Sequence, residues 1–197
     1  IVADSSANLL SLPDIDFGVV PLHIIVGEND YIDDDKIDLT AMQENLSSYK
    51  GNTSTSSPSP HEWENAFGDA DVVFCITITS SLSGTYNSAV IAKDIYEHNH
   101  TGRKVYVLDS LSTGPEIALF IEKIAELIKA GFAPDDIYKT LLEYKDKTHL
   151  YFSLASLNNF AKNGRISPVI AAGIGLIGVR VVGKASDEGT LLPLDKC

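Results

Sequence analysis

Between Ile78 and Tyr86 the chain reads Ile-Thr-Ser-Ser-Leu-Ser-Gly-Thr-Tyr, a run of hydroxyls and one glycine between an apolar segment, Val72 to Thr77, and a helical one, Tyr86 to Tyr96. Hydroxyls donate hydrogen bonds without formal charge, and glycine lets backbone approach a ligand closely. At the carboxyl end of a strand in an open α/β sheet, helix N-termini direct unpaired N–H groups and a partial positive charge outward. A turn of this composition in that place is suited to holding an anion. Its centre is Ser83, Gly84 and Thr85. Two further strand ends, Asp4-Ser5-Ser6 and Asp109-Ser110, lie on the same edge of a parallel sheet, and the loop Thr53 to Ser59 supplies more hydroxyls. Two or three such donors with backbone N–H groups satisfy a carboxylate or a phosphate, each charge-assisted bond worth about 1.5–3 kcal/mol. Taken singly, Ser5, Ser80 and Ser110 serve equally well as caps or turn residues.

The chemistry that is missing narrows the ligand. No Gly-x-x-x-x-Gly-Lys-Ser/Thr loop and no Gly-x-Gly-x-x-Gly turn occurs, so no nucleotide is indicated. The Gly-x-Ser-x-Gly elbow of serine hydrolases is also absent around Ser83. The histidines, His23, His61, His98, His100 and His149, are scattered, and without a placed base Ser83 is a donor rather than a nucleophile. A second reading is kept beside this one: a serine-dependent acyl hydrolase using Ser83, with Asp4 or Asp109 orienting a histidine. A third is an interaction domain with no ligand.

Composition sets the limits. With 197 residues, 44% of them hydrophobic, the chain can bury one good core, or one core and part of a second. The net charge of −12, with an acidic knot at Asp30, Asp33, Asp34 and Asp35, opposes binding to nucleic acid or to an anionic membrane. That knot lacks the ligand spacing and sharp-turn glycine of a calcium loop. Two cysteines, Cys75 and Cys197, give neither a disulfide scaffold nor zinc spacing, so no metal site is expected. The longest apolar stretch, Val169 to Val182, falls short of the ~20 residues of a membrane-spanning helix and is broken by Arg180. With Ile1 already reading as strand, the expected location is the cytoplasm.

The elements that would position these residues alternate. Strands are expected at Ile1 to Ala3, Val19 to Val26, Val72 to Thr77, Val105 to Leu108, Tyr151 to Leu154, Val179 to Gly183 and Leu191 to Leu194. Most are continuous apolar runs, as suits parallel strands covered on both faces. Helices fall between them. Asp38 precedes a stripe of Leu39, Met42, Leu46 and Tyr49, and Ser59-Pro60-His61-Glu62 combines a capping box with proline at the first helical position. Ile117, Phe120, Ile124 and Leu127 stripe another helix, and Ile137 and Leu141 mark one after Pro134. The pattern is α/β: a parallel sheet flanked by helices. From Tyr151 onward the texture changes, with a short helix capped by Ser156, another started by Ser167-Pro168, and two final strands. The expected division is an α/β domain over 1–149, carrying the hydroxyl-rich anion site, and the beginning of a second domain over 150–197.

Six strings in order, Ile1-Val2-Ala3-Asp4-Ser5-Ser6, Val20-Pro21-Leu22, Thr55-Ser56-Ser57-Pro58-Ser59-Pro60, Ser83-Gly84-Thr85, Val107-Leu108-Asp109-Ser110 and Asn163-Gly164-Arg165-Ile166-Ser167, resemble the DegV family of bacterial fatty-acid-binding proteins. The resemblance covers almost the whole chain. Members are longer, so the chain is expected to be a piece of such a protein, trimmed at its start and stopping inside the second domain at Cys197.

The resemblance implies a long-chain fatty acid as the bound ligand, with its carboxylate at the hydroxyl cluster and its acyl tail in a tunnel between the two domains. It implies Thr55, Ser56, Ser83, Gly84 and Thr85 as carboxylate-contacting residues. Ser57 stands where the family usually has glutamine, and Asn163 where it has glycine. Arg165 matches the family's arginine, implied to contact the head group or a partner, and it also suits a helix C-terminus. A head-group histidine implied for the C-terminal part is absent from this sequence. By the same resemblance the chain is a carrier rather than an enzyme. It has no cofactor and no catalytic residue of its own, and it presents the acid to a fatty acid kinase catalytic subunit for conversion to acyl-phosphate in phospholipid synthesis.

Overall fold

The structure, a computed structural model, describes residues 1–166 and 180–196. Four strands form a wholly parallel sheet: β1 (Val2–Asp4), β2 (Gly18–Val20), β6 (Val72–Thr77) and β7 (Lys104–Asp109), in the order β2-β1-β6-β7. Both faces are covered, which is why these strands read as unbroken apolar runs. Alternate residues of β6 part to opposite sides. Val73 and Cys75 join Trp63 and Phe67 of α2 (Pro60–Phe67) and Ala89, Ala92 and Tyr96 of α3 (Thr85–Asn99). Phe74 and Ile76 join Ile117, Phe120, Ile121 and Ile124 of α4 (Pro115–Lys129), beside Ile137 and Leu141 of α5 (Pro134–Lys145). Each of the four α4 side chains is fully buried, stabilising the layer by about 1.5–3 kcal/mol apiece. The four-stranded parallel sheet with helices on both faces is the expected α/β class.

Caps fall where the sequence put them. Asp38 accepts from Ala41 N–H at the start of α1 (Leu39–Ser48), and Ser59 and Glu62 close a capping box on α2. Along α1, however, Met42 is the buried residue while Leu39 lies 54% exposed, so the expected four-residue stripe packs over only part of its length.

The expected single strand Val19 to Val26 is two strands in two sheets. Pro21, which has no N–H to donate, ends β2, and the chain re-forms as β3 (His23–Val26). There it pairs antiparallel with β4 (Asn29–Ile32) on one side and β5 (Thr53–Ser56) on the other. Thr53 to Ser59, expected as a loop, is therefore half strand. The second part of the chain carries a three-stranded antiparallel sheet of β8 (Tyr151–Leu154), β9 (Val181–Ala185) and β10 (Leu191–Lys196), with β9 central. A short helix, α6 (Asn158–Lys162), takes Leu157 rather than Ser156 as its N-cap, and Leu157, Ile166 and Val181 form a small cluster. The helix expected from Ser167-Pro168 and Cys197 lie outside the described residues. No helix among the described residues is long and apolar enough to cross a membrane.

Candidate functional site

The carboxyl ends of the parallel strands are organised by two acceptors, the buried Asp4 and the half-buried Asp109. Asp4 Oδ1 accepts from the Ser6 N–H and hydroxyl, and Oδ2 accepts from Ile78 N–H at 2.6 Å, fixing the loop after β6 to the end of β1. Burial pushes the Asp4 carboxyl above its ordinary range, against the lowering effect of these donors. Asp109 Oδ1 accepts from Ser80 N–H and Leu111 N–H, holding the loops after β6 and β7 together. Ser5 Oγ accepts from Leu22 N–H, and Ser110 Oγ donates to Ser112 C=O and accepts from Ser112 N–H. Asp4, Ser5, Asp109 and Ser110 thus fasten loops, and none of these four lines the cavity described next.

That cavity, of about 290 Å³, lies between the strand ends and the second antiparallel sheet. Its walls are chiefly apolar, with Leu22, Ile78, Leu82, Phe152, Leu154 and Phe160 among them. Phe152 and Leu154 face in because β8 alternates, leaving Tyr151 exposed. Gly183, opposite Phe152 in the register, makes room for that ring, since a Cβ there would stand 2.4 Å from Phe152 Cζ. The turn between β9 and β10 closes the cavity over β6. Thr79 Oγ1 donates to Gly189 C=O at 2.9 Å, and Ser81 Oγ donates to Glu188 C=O.

Thr55, Ser83 and Arg165 share this cavity's wall. Arg165 Nη2 donates to Thr55 Oγ1 at 3.0 Å and Arg165 Nε to Leu82 C=O at 2.8 Å, so one guanidinium bridges β5 and the loop before α3. Asn163 Nδ2 reinforces the crossing by donating to Thr53 C=O. Arg165 is the one charged residue among the described lining residues, in a chain of net charge −12. Ser83 and Thr85 hydroxyls bond each other at 2.8 Å. Gly84 is the N-cap of α3 with no side-chain cap, and the first helical N–H, that of Thr85, donates to Ser83 Oγ. A Cβ at Gly84 would stand 3.3 Å from Ser57 Oγ. The other expected contacts lie off the wall. Thr85 is fully buried behind Ser83, Gly84 supplies backbone, and Ser56 is exposed, alternation along β5 turning it away from the face that Thr55 presents.

An anion entering here meets the Thr55 and Ser83 hydroxyls and a guanidinium, with an apolar hollow behind. Among the described residues, no histidine bonds Ser83. His23 engages Asp30 and Glu62, His61 lies against Asn65, and His100 against the Tyr96 carbonyl. Asp4 and Asp109 are committed to loop donors. The triad required by the hydrolase reading is not assembled. A larger cleft of about 470 Å³ lies beyond Leu150 and Ala185, but Glu116, Lys145, Asp146 and Asp187 make its walls charged.

Residues 1–197 match the family model described as "Uncharacterised protein, DegV family". The chain belongs to the DegV family. A DegV domain-containing protein of Streptococcus pneumoniae is 40% identical over 200 residues, covering 100% of this chain and 71% of the relative. Among solved structures, a DegV family protein from Eubacterium eligens loaded with heptadecanoic acid superposes with a TM-score of 0.97 at 40% identity. The Streptococcus pneumoniae fatty acid kinase (Fak) B3 protein, loaded with linoleic acid, superposes with a TM-score of 0.96 at 39% identity. Both alignments cover 100% of this chain and 71% of the other. DegV structures thus share the whole described architecture, including the strand ends and the antiparallel sheet that enclose the cavity.

Sequence reasoning missed the cavity's walls. Leu22, Phe152, Leu154 and Phe160 are apolar residues indistinguishable in sequence from core. It also missed Ser112, which lines the cavity while its hydroxyl, shut away from solvent, bonds nothing among the described residues.

Proposed function

We propose that this chain binds a long-chain fatty acid, with the carboxylate at the Thr55–Ser83–Arg165 rim and the acyl tail in the apolar cavity. The observation that carries the reading is the sharing of one wall by the Thr55 and Ser83 side chains, from separate elements, and a cation, in a hollow whose remaining lining is chiefly leucine, isoleucine and phenylalanine. Two DegV relatives of the same architecture carry heptadecanoic and linoleic acids, which supports that ligand class here. Gly84 and Thr85 support the rim from behind, through backbone and through the hydroxyl pair of Thr85 with Ser83. Residues 150–197 begin a second domain that covers the lipid tail over an α/β domain of residues 1–149.

The energetics divide the labour. Burying about fourteen methylenes at ~0.8 kcal/mol each gives roughly 11 kcal/mol before the costs of association, more than the head group supplies. The tail sets affinity and the rim sets orientation. The chain acts as a carrier in the cytoplasm, presenting the acid to a separate fatty acid kinase subunit that forms the acyl-phosphate. The likeness to the fatty acid kinase B3 protein supports this role.

Organic extraction of gently purified full-length protein, followed by mass spectrometry, tests the reading. A stoichiometric fatty acid is the expected result. Protein that neither contains nor takes up any fatty acid contradicts it.

A further inference from the structure

His23 joins two elements through its two ring nitrogens. Nδ1 stands 2.9 Å from Asp30 Oδ2, and Nε2 stands 3.7 Å from Glu62 Oε1. The first contact follows from register. His23 lies opposite Ile32, and Ile25 opposite Asp30, so His23 and Asp30 are diagonal neighbours on one face of the β3–β4 pair. The second contact leaves the sheet for α2. Glu62 divides its oxygens, Oε2 accepting from the Ser59 N–H and hydroxyl in the capping box and Oε1 facing the imidazole. Among the ion pairs of the described residues, this one alone joins the sheet of β3, β4 and β5 to another element.

The contact bears on the rim through the chain itself. His23 is the register partner of Ser56, and its ring meets Glu62, so one residue holds both ends of the segment that leads from β5 into α2. Thr55 directly precedes Ser56 and faces the other side of the sheet, where Arg165 donates to it. The charged groups facing the ring are Asp30 from β4 and Glu62 from α2, while β5 presents Ser54 and Ser56 to the same face. A neutral imidazole has one N–H for two carboxylates, whereas the imidazolium offers one to each.

We propose that His23 is a positioning residue for the rim: its imidazolium clamps the β3 sheet to α2 and fixes Thr55, so that fatty-acid affinity follows the charge of this ring. The inference rests on the fatty-acid reading above. The hydrogen bond to Asp30 raises the His23 pKa above its ordinary 6.5, with Glu62 adding to the effect and partial burial opposing it. The clamp is therefore whole below 6.5 and is lost as pH rises through the folded value.

The test titrates full-length, delipidated wild type and H23Q with stearic acid from roughly pH 5.5 to pH 9. The ratio of the two affinities is read at each pH, which cancels the ionisation of the acid and of the other histidines. Wild type is expected to bind about two- to fivefold more tightly at the acid end, the scale of partly exposed ion pairs, with the ratio falling across the NMR titration of the His23 ring. E62Q keeps the capping box, since glutamine serves at that position, and is expected to lower the midpoint of the ring titration and flatten the pH dependence of binding. Should H23Q not fold, E62Q takes its place in the ratio. A ratio that stays constant through the His23 titration overturns the proposal, as does a pH dependence that E62Q leaves unchanged. Wild type that binds stearic acid at no pH overturns the fatty-acid reading itself, which distinguishes the two failures.

Discussion

The guanidinium of Arg165 donates to the hydroxyl of Thr55 at 3.0 Å, across 110 positions of sequence. This bond ties the segment after α6 to β5, an edge strand, and it orients the Thr55 hydroxyl as an acceptor from arginine, its own O–H donating to nothing among the described residues. Arg165 therefore both supplies charge at the rim and sets the direction of a donor.

Replacing Arg165 tests that double role. R165A is expected to weaken fatty-acid binding by about tenfold to a hundredfold, through loss of charge-assisted bonds and release of Thr55. R165K should recover little, since an ammonium cannot serve Thr55 and Leu82 C=O as a planar fork does. Titration of the two variants with one fatty acid checks this, and full recovery in R165K would reduce the role to charge alone.

Asp4 gives a pH dependence of defined sign. Its carboxyl is fully buried and raised by desolvation above the ordinary 3.8. Between 3.8 and the folded value, the folded protein keeps a proton that the unfolded chain has released. Stability from this group is present below the unfolded value and is lost as pH rises through the folded one. The unfolding free energy of wild type minus that of D4N should fall as pH rises through that window. Denaturant titrations from roughly pH 4 to pH 7 measure it, and a difference that grows with pH would contradict the assignment.

Gly189 closes the cavity by its shape. It sits at φ +74°, and a Cβ there would stand 2.1 Å from Thr79 Oγ1 and 3.0 Å from Leu111 Cα. G189A is expected to destabilise by about 1–3 kcal/mol, lowering Tm by several degrees, and to weaken ligand binding by loosening the β9–β10 turn. A thermal melt and a binding titration on the same sample check both, and an unchanged melt would show that the turn does not bear on the strand ends.

The parallel core was legible because burial on both faces leaves its mark in sequence. Val72 to Thr77 and Val105 to Leu108 are continuous apolar runs, and Asp38 and Ser59 announce their helices by local hydrogen bonding. β4 and β5 left no such mark. They are short polar edge strands, held by register to β3 rather than by a buried face, so Thr53 to Ser56 reads as loop. The convergence of Thr55 with Ser83 followed from strand order and family resemblance together. The fate of the other hydroxyls did not, because a serine that fastens a loop, as Ser5 and Ser110 do, has the same side chain as one that faces a ligand. Only the surrounding donors and acceptors, set by the tertiary fold, separate the two.

The central claim is that the Thr55–Ser83–Arg165 rim grips an acidic head group. Its most direct measurement compares a long-chain fatty acid with the primary alcohol of equal chain length on full-length protein, in wild type and in a T55A/S83A variant. The account predicts that wild type binds the acid at least about tenfold more tightly than the alcohol, and that this gap narrows sharply in the variant. Equal binding of acid and alcohol by wild type would contradict it.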